Sequence, residues 1–236
     1  MKTINQASNS SRRNFIETSI KVAVGVGITG VGFASACNQL NVEQNISPPE
    51  DLMQEHGLLN RILLIYDTCK MQLINKQSFQ NDALLNSAQI IRSFVEDYHE
   101  KQEEDYLFPR FEKANQLTDL VQVLRQQHKV GRIITDQIMQ LSKPKTLSDS
   151  ENQKLIQLLT GFNNMYRPHE AREDTVLFPA FRKIVSTNEY DSIGEEFEDN
   201  EYKLFGKDGF KTMVEKVTGI EMQLGIYKLA QFTPIV

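Results

Sequence analysis

Apolar and polar positions alternate at helical spacing through four long segments of the chain. In the first, Leu52, His56, Leu59, Leu63 and Tyr66 recur at intervals of three and four. The second carries Leu84, Ala88, Ile91, Val95, His99 and Glu103, and the third Val121, Leu124, His128, Gly131, Ile134, Ile138 and Leu141. The fourth carries Leu155, Leu158, Phe162, Met165, His169, Glu173 and Val176. Such spacing gathers each set on one face of an α-helix. Nothing in the pattern reads as a strand. Stretches near 75–82, 113–117 and 142–150 carry the polar and proline signals of helix connections. Four helices with short connections bury their stripes against one another. The expected fold is therefore all-α, an up-down-up-down four-helix bundle over residues 50–186. Beyond it, Glu195 to Tyr202 forms a charged helical stretch, and Phe210, Val214, Val217, Ile220 and Leu224 repeat at helical spacing. That predicts an added C-terminal helical segment over 187–236, packed outside the bundle and ending irregularly at Phe232, Thr233 and Pro234.

The polar members of the four stripes change the picture. All four histidines of the chain, His56, His99, His128 and His169, lie on the apolar faces. Two of them open a His-x-x-x-Glu pair, His99 with Glu103 and His169 with Glu173. Residues 97–113 (DYHEKQEEDYLFPRFEK) and 167–183 (RPHEAREDTVLFPAFRK) share the His, the Glu and a following Leu-Phe-Pro, an internal repeat offset by 70 residues. His56 and His128 lie 72 apart and read as the first ligand of each half. Residues four apart on a helix sit about 40° apart on one face, within reach of one metal or two adjacent ones. Imidazole with carboxylate suits iron or zinc better than magnesium or calcium. The absence of cysteine from the pattern argues against a structural zinc finger. A lone histidine on an apolar stripe is usually a core residue with a hydrogen bond. Six metal-binding groups converging in a core are what a metal site explains, because such groups are costly to bury without partners. The flanking Glu100, Glu104, Asp105, Glu170 and Asp174 read as solvated charges or as residues that orient an imidazole. Glu198 and Glu201 read as solvated helix charges, with an approach to the metals as the alternative. Pro168, just before His169, predicts a bend or an interruption of the fourth helix, and Pro109 and Pro179 a matching bend in both repeats.

Composition narrows the class. The chain has 236 residues, 40% of them hydrophobic, and a net charge of −5. Its mean hydropathy is −0.41. No basic excess points to nucleic acid as a partner, and no apolar run of membrane-spanning length occurs outside the N-terminus. Residues 1–37 have the layout of an export signal. Arg12 and Arg13 stand in Ser-Arg-Arg-Asn-Phe-Ile, a short Gly-rich apolar stretch follows, and Ala34-Ser35-Ala36-Cys37 ends it. The sequence resembles a twin-arginine signal. Cys37 either follows an ordinary cleavage site or takes a lipid anchor, and an uncut N-terminal anchor is the alternative to both. The expected location is the periplasm or cell envelope, reached by a twin-arginine-type route. Residues 38–49 read as a tether. Cys69, the other cysteine, falls in a helical pattern and reads as a small apolar filler.

With these residues in place, the stretch from about 50 to 186 resembles the hemerythrin family, in particular its HHE cation-binding domains. The resemblance rests on His56, His99 with Glu103, His128, His169 with Glu173, and the two Leu-Phe-Pro tails. It implies a non-haem di-iron centre, two irons per chain. His56 and His99 would hold one iron, His128 and His169 the other, with Glu103 and Glu173 bridging. Oxygen-carrying members use a fifth histidine on the third helix. Here the positions a turn either side of His128 are Leu124 and Arg132. The resemblance then implies an open position on both irons. The expected ligands are O2, nitric oxide or peroxide. Binding or sensing of O2, nitric oxide or iron competes with reduction of peroxide or nitric oxide as the function. The sequence names no redox partner, and a mononuclear or zinc site in the same cage stays open.

Overall fold

The structure is a computed structural model and describes residues 46–77, 80–143 and 146–235. Arg12, Arg13 and Cys37 lie outside the described residues. Among the described residues the chain is helical throughout, without a strand. Helix α1 spans Pro48–Ile74, α2 residues 81–114, α3 Thr118–Leu141 and α4 residues 149–184. Two further helices follow, α5 (Thr187–Phe205) and α6 (Gly209–Leu224). Each of the first four packs on the next in sequence, and α4 returns against α1. Helices α5 and α6 lie against α1, and α6 also reaches α2.

Local chemistry sets the boundaries. Ser47 caps α1 with its side chain, Glu50 reaches back to the Ser47 backbone, and Pro48 and Pro49 occupy the first turn. Proline suits that turn because its missing N–H has no helical partner there. The two prolines therefore start the first helix, where the sequence pattern placed them in the tether. Ser148 and Glu151 form the same reciprocal cap on α4, and Ser186 caps α5.

Helices α2 and α4 are not regular α-helices. In α2, Ile91–His99 and Glu103–Leu107 are π-helical, and in α4 Glu173–Leu177 is π-helical. The Glu103 and Glu173 turns occupy matching places in the repeat, each ending on a hydrogen bond from Phe108 to Glu103 or from Phe178 to Glu173. Pro109 and Pro179 follow at once, in the first turn of the resumed α-helix. The wider turn and the missing proline N–H thus fall together. Helix α4 runs through Pro168 without interruption.

The core has two apolar clusters. One is built from Leu59, Ile62, Phe94, Ile138 and Phe162 among others, with Met213, Val217 and Ile220 of α6 joining it. The second holds Leu52, Leu107, Phe108, Leu124, Leu177 and Phe178, with Ile193 and Phe197 of α5. On each of the four helices the histidine stands between residues of one cluster and residues of the other. A polar layer therefore divides the core. Cys69 is a free, fully buried thiol in the first cluster, as expected of an apolar filler, and burial pushes it up to about 12.

Candidate metal centre

All six residues singled out from the sequence meet in that layer, and none is more than 4% exposed. Their ligand atoms form two groups that share both carboxylates. His56, His99, Glu103 and Glu173 make one group, and Glu103, His128, His169 and Glu173 the other. The Nε2 atoms of His56 and His99 lie 3.1 Å apart, and those of His128 and His169 3.3 Å apart. Glu173 approaches His56 at 3.3 Å and His169 at 3.1 Å. Glu103 lies 3.5 Å from His128 and 3.8 Å from His99.

The rings are held from behind. His56 Nδ1 meets Asp174 at 2.7 Å, and His99 Nδ1 meets Glu55 at 2.8 Å. His128 Nδ1 meets Glu104 at 3.1 Å, and His169 Nδ1 meets the Gln127 side-chain oxygen at 2.9 Å. A ring whose Nδ1 donates a hydrogen bond presents the lone pair of Nε2. In each group two Nε2 atoms face each other at close range, an arrangement that a shared proton or a bound cation relieves. The repeat also supplies a wall on either side. Phe178 stacks on His56 and Phe108 on His128, both with ring centroids 5.5 Å apart. The Leu-Phe-Pro signature thus crosses over, each phenylalanine covering the first histidine of the other half.

Apart from the four imidazoles, none of the four carboxylate oxygens of Glu103 and Glu173 has a hydrogen-bond partner, and both side chains are fully buried. An isolated buried carboxylate is strongly disfavoured unless paired or bound to a metal. Burial, followed by the charges of Glu173 and Glu100, pushes Glu103 well above the usual carboxylate range. Burial alone would raise Glu173 too, but His169 and His56 outweigh it and hold it well below. Burial lowers His99, and lowers His128 to about 4. At His56 the pull of Asp174 and Glu173 overcomes burial and raises the imidazole to about 10. In the chain alone these groups are frustrated. Two divalent cations would supply positive charge where the lone pairs and the orphaned oxygens point. The donor set, imidazole nitrogen with carboxylate oxygen and no thiolate, fits iron.

Several residues that shape the layer stand outside the six, and Arg132 enters the sequence reading only as a position that lacks a fifth histidine. Glu55 and Gln127 each precede the first histidine of a half, and Asn60 and Arg132 each follow it by four, so both pairs share the 72-residue offset. That offset was the available signal. Arg132 binds Glu100 at 2.7 Å and Glu104 at 2.9 Å, while Asn60 donates to Glu170. Of the flanking acids, Glu104 and Asp174 orient imidazoles, Glu100 and Glu170 are buried, and Asp105 is exposed. Glu201 is not a solvated charge, and it belongs to neither of the two ligand groups. It is buried and accepts a hydrogen bond from the Phe210 backbone at 2.6 Å, tying α5 to α6.

Comparison with known proteins agrees with this geometry. The hemerythrin HHE cation binding domain matches residues 47–181. An uncharacterized protein of Mycobacterium bovis is 47% identical over 193 residues, which cover 81% of this chain and 76% of that protein. Uncharacterized proteins from two strains of Mycobacterium tuberculosis match to the same extent. No solved structure matches significantly. A helical fold, a buried histidine–glutamate layer able to bind metal and the match across most of the bundle lead to one assignment: the chain belongs to the hemerythrin HHE cation-binding domain family.

Proposed function

We propose that the chain holds two irons in the divided core of an up-down-up-down four-helix bundle and binds or senses O2, nitric oxide or iron. The observation that carries this reading is the pair of four-residue groups sharing two buried carboxylates that have no other partner. His56 and His99 would hold one iron, His128 and His169 the second, and Glu103 and Glu173 would bridge. Iron so held supplies reversible redox chemistry and a place for a small ligand. The protein's part is to fix the imidazoles through Asp174, Glu55, Glu104 and Gln127, and to keep bulk water out with Phe108 and Phe178. Leu124 is packed in the second cluster and Arg132 is engaged by Glu100 and Glu104, so neither neighbour of His128 completes a five-histidine set. That observation supports the second reading, a di-iron enzyme reducing peroxide or nitric oxide.

The test is the visible spectrum of the iron-loaded, reduced protein on mixing with O2 or nitric oxide. New absorption bands with either gas are expected. An unchanged spectrum with both would contradict the binding reading. Sustained peroxide consumption with an added reductant would decide for the enzyme.

The setting is part of the proposal. Arg12 and Arg13 and the segment ending at Cys37 support export to the cell envelope by a twin-arginine-type route, with Cys37 as the point of a lipid anchor. No helix among the described residues is long and apolar enough to cross a membrane.

A further inference from the structure

The two halves of the metal layer are built on one repeated frame, and two of its departures bear on the groups behind the histidines; a third, Lys101 against Ala171, adds a second cation to Glu104 and so acts in the same direction. Glu55 and Gln127 occupy equivalent positions and do equivalent work, holding Nδ1 of His99 and of His169. One is a carboxylate and the other a neutral amide. Asn60 and Arg132 are the second pair. Asn60 is neutral and bonds Glu170, whereas Arg132 is a cation joined to Glu100 and to Glu104, the residue that orients His128. Both departures run in the same direction. The His56/His99 half has Asp174 and Glu55 behind its rings, two carboxylates. The His128/His169 half has Gln127 and a Glu104 shared with a guanidinium. A carboxylate behind an imidazole makes its other nitrogen a stronger donor, and an amide or a neutralised carboxylate does so less. The four imidazoles and Glu55 are buried, which limits screening at the rings, while Asp174, Glu104, Gln127 and Arg132 lie at the part-exposed edge of the layer.

We infer that the two metal positions are electronically unequal: the His56/His99 position stabilises the ferric ion and the His128/His169 position the ferrous ion, with Gln127 and Arg132 as the positioning residues that set the difference. The inference rests on the dinuclear iron reading given above. Adding one electron to the diferric protein reduces the iron at His128/His169 first, the electron coming from an added reductant such as dithionite. The half-reduced state is then a defined, valence-trapped species. A centre of this kind exchanges single electrons with a partner in two separate steps.

The experiment uses the full chain loaded with iron, with iron per chain counted on the same sample. Graded reduction is followed by electron paramagnetic resonance of the mixed-valent state. The stability constant of that state against disproportionation is read for the parent, Gln127→Glu and Glu55→Gln. Each substitution makes the two halves more alike, so each should lower the constant, by about tenfold, the scale on which such outer partners act. The sign is decisive. In a centre with equal halves, the same substitutions create a difference and raise the constant. An unchanged or increased constant in Gln127→Glu, with two irons per chain retained, overturns this inference and leaves the dinuclear reading standing. One iron per chain in the parent overturns both.

Discussion

Tyr166 and Gly131 show how tightly the layer beside the histidine–glutamate groups is fitted. The Tyr166 hydroxyl donates to Glu100 at 2.7 Å, inside the core. A Cβ on Gly131 would lie 2.0 Å from that oxygen, so only glycine leaves room for it. Gly131→Ala should therefore destabilise the fold by about 1–3 kcal/mol, the usual cost of overpacking. Urea unfolding measures it, and a change below about 0.5 kcal/mol would mean that the phenol moves aside freely. Glu96 is a second such residue. It is fully buried, accepts from Thr135 at 2.5 Å and pairs with Arg92 at 2.8 Å. Burial outweighs these partners and pushes its carboxyl from the usual 4.5 up to about 7. The folded chain then binds a proton that the unfolded chain has released. Its contribution to stability is full below pH 4.5 and is lost as pH rises through 7, with a ceiling on the order of 3 kcal/mol. In Glu96→Gln the metal-free protein should lose less stability between pH 5 and pH 8 than the parent does. Parallel pH profiles would refute the shifted carboxyl.

The helices themselves were largely legible, because each of the four stripes keeps its interval over several turns. His56, His99, Glu103, His128, His169 and Glu173 could be read off those stripes, and the repeat tied them together. The π-helical turns could not. Two of them, at Glu103 and Glu173, stand where a Leu-Phe-Pro tail removes an N–H just beyond a buried glutamate, while Ile91–His99 has no proline beside it; periodicity at 3.6 residues has no signature for either. The roles of Glu55, Asn60, Gln127 and Arg132 are not legible for a different reason. Their importance lies in contacts between helices, and only the 72-residue offset links them along the chain. The sequence pattern predicts α5 and α6 as an outer layer, yet Ile193, Phe197, Met213, Val217 and Ile220 are buried in the two clusters. They complete the core as well as covering it. Phe197→Ala, at a side chain 1% exposed, should cost about 3–5 kcal/mol of unfolding free energy. A loss under about 1 kcal/mol would mean that α5 is an independent appendage.

As a whole, the molecule is a polar layer clamped between two apolar clusters, and the layer is stable only if something balances its carboxylates. The proposed export route suits that design, since a twin-arginine pathway moves a chain already folded around its metals. Replacing Arg12 and Arg13 together by lysine should trap the precursor in the cytoplasm, because lysine lacks the guanidinium fork. Cys37→Ser should leave export intact and abolish lipid labelling. Fractionation checks both, and unimpaired export of the double lysine variant would remove the twin-arginine assignment. The central claim, a dinuclear iron centre shared between two histidine pairs, is tested most directly by counting iron per chain. The parent should hold two irons. His99→Ala, Glu103→Ala and Glu173→Ala should lose most of that iron, while Glu112→Ala, which breaks only an exposed pair with Arg125, should keep it. One iron or none in the parent, or equal iron in His99→Ala and the parent, would contradict the account.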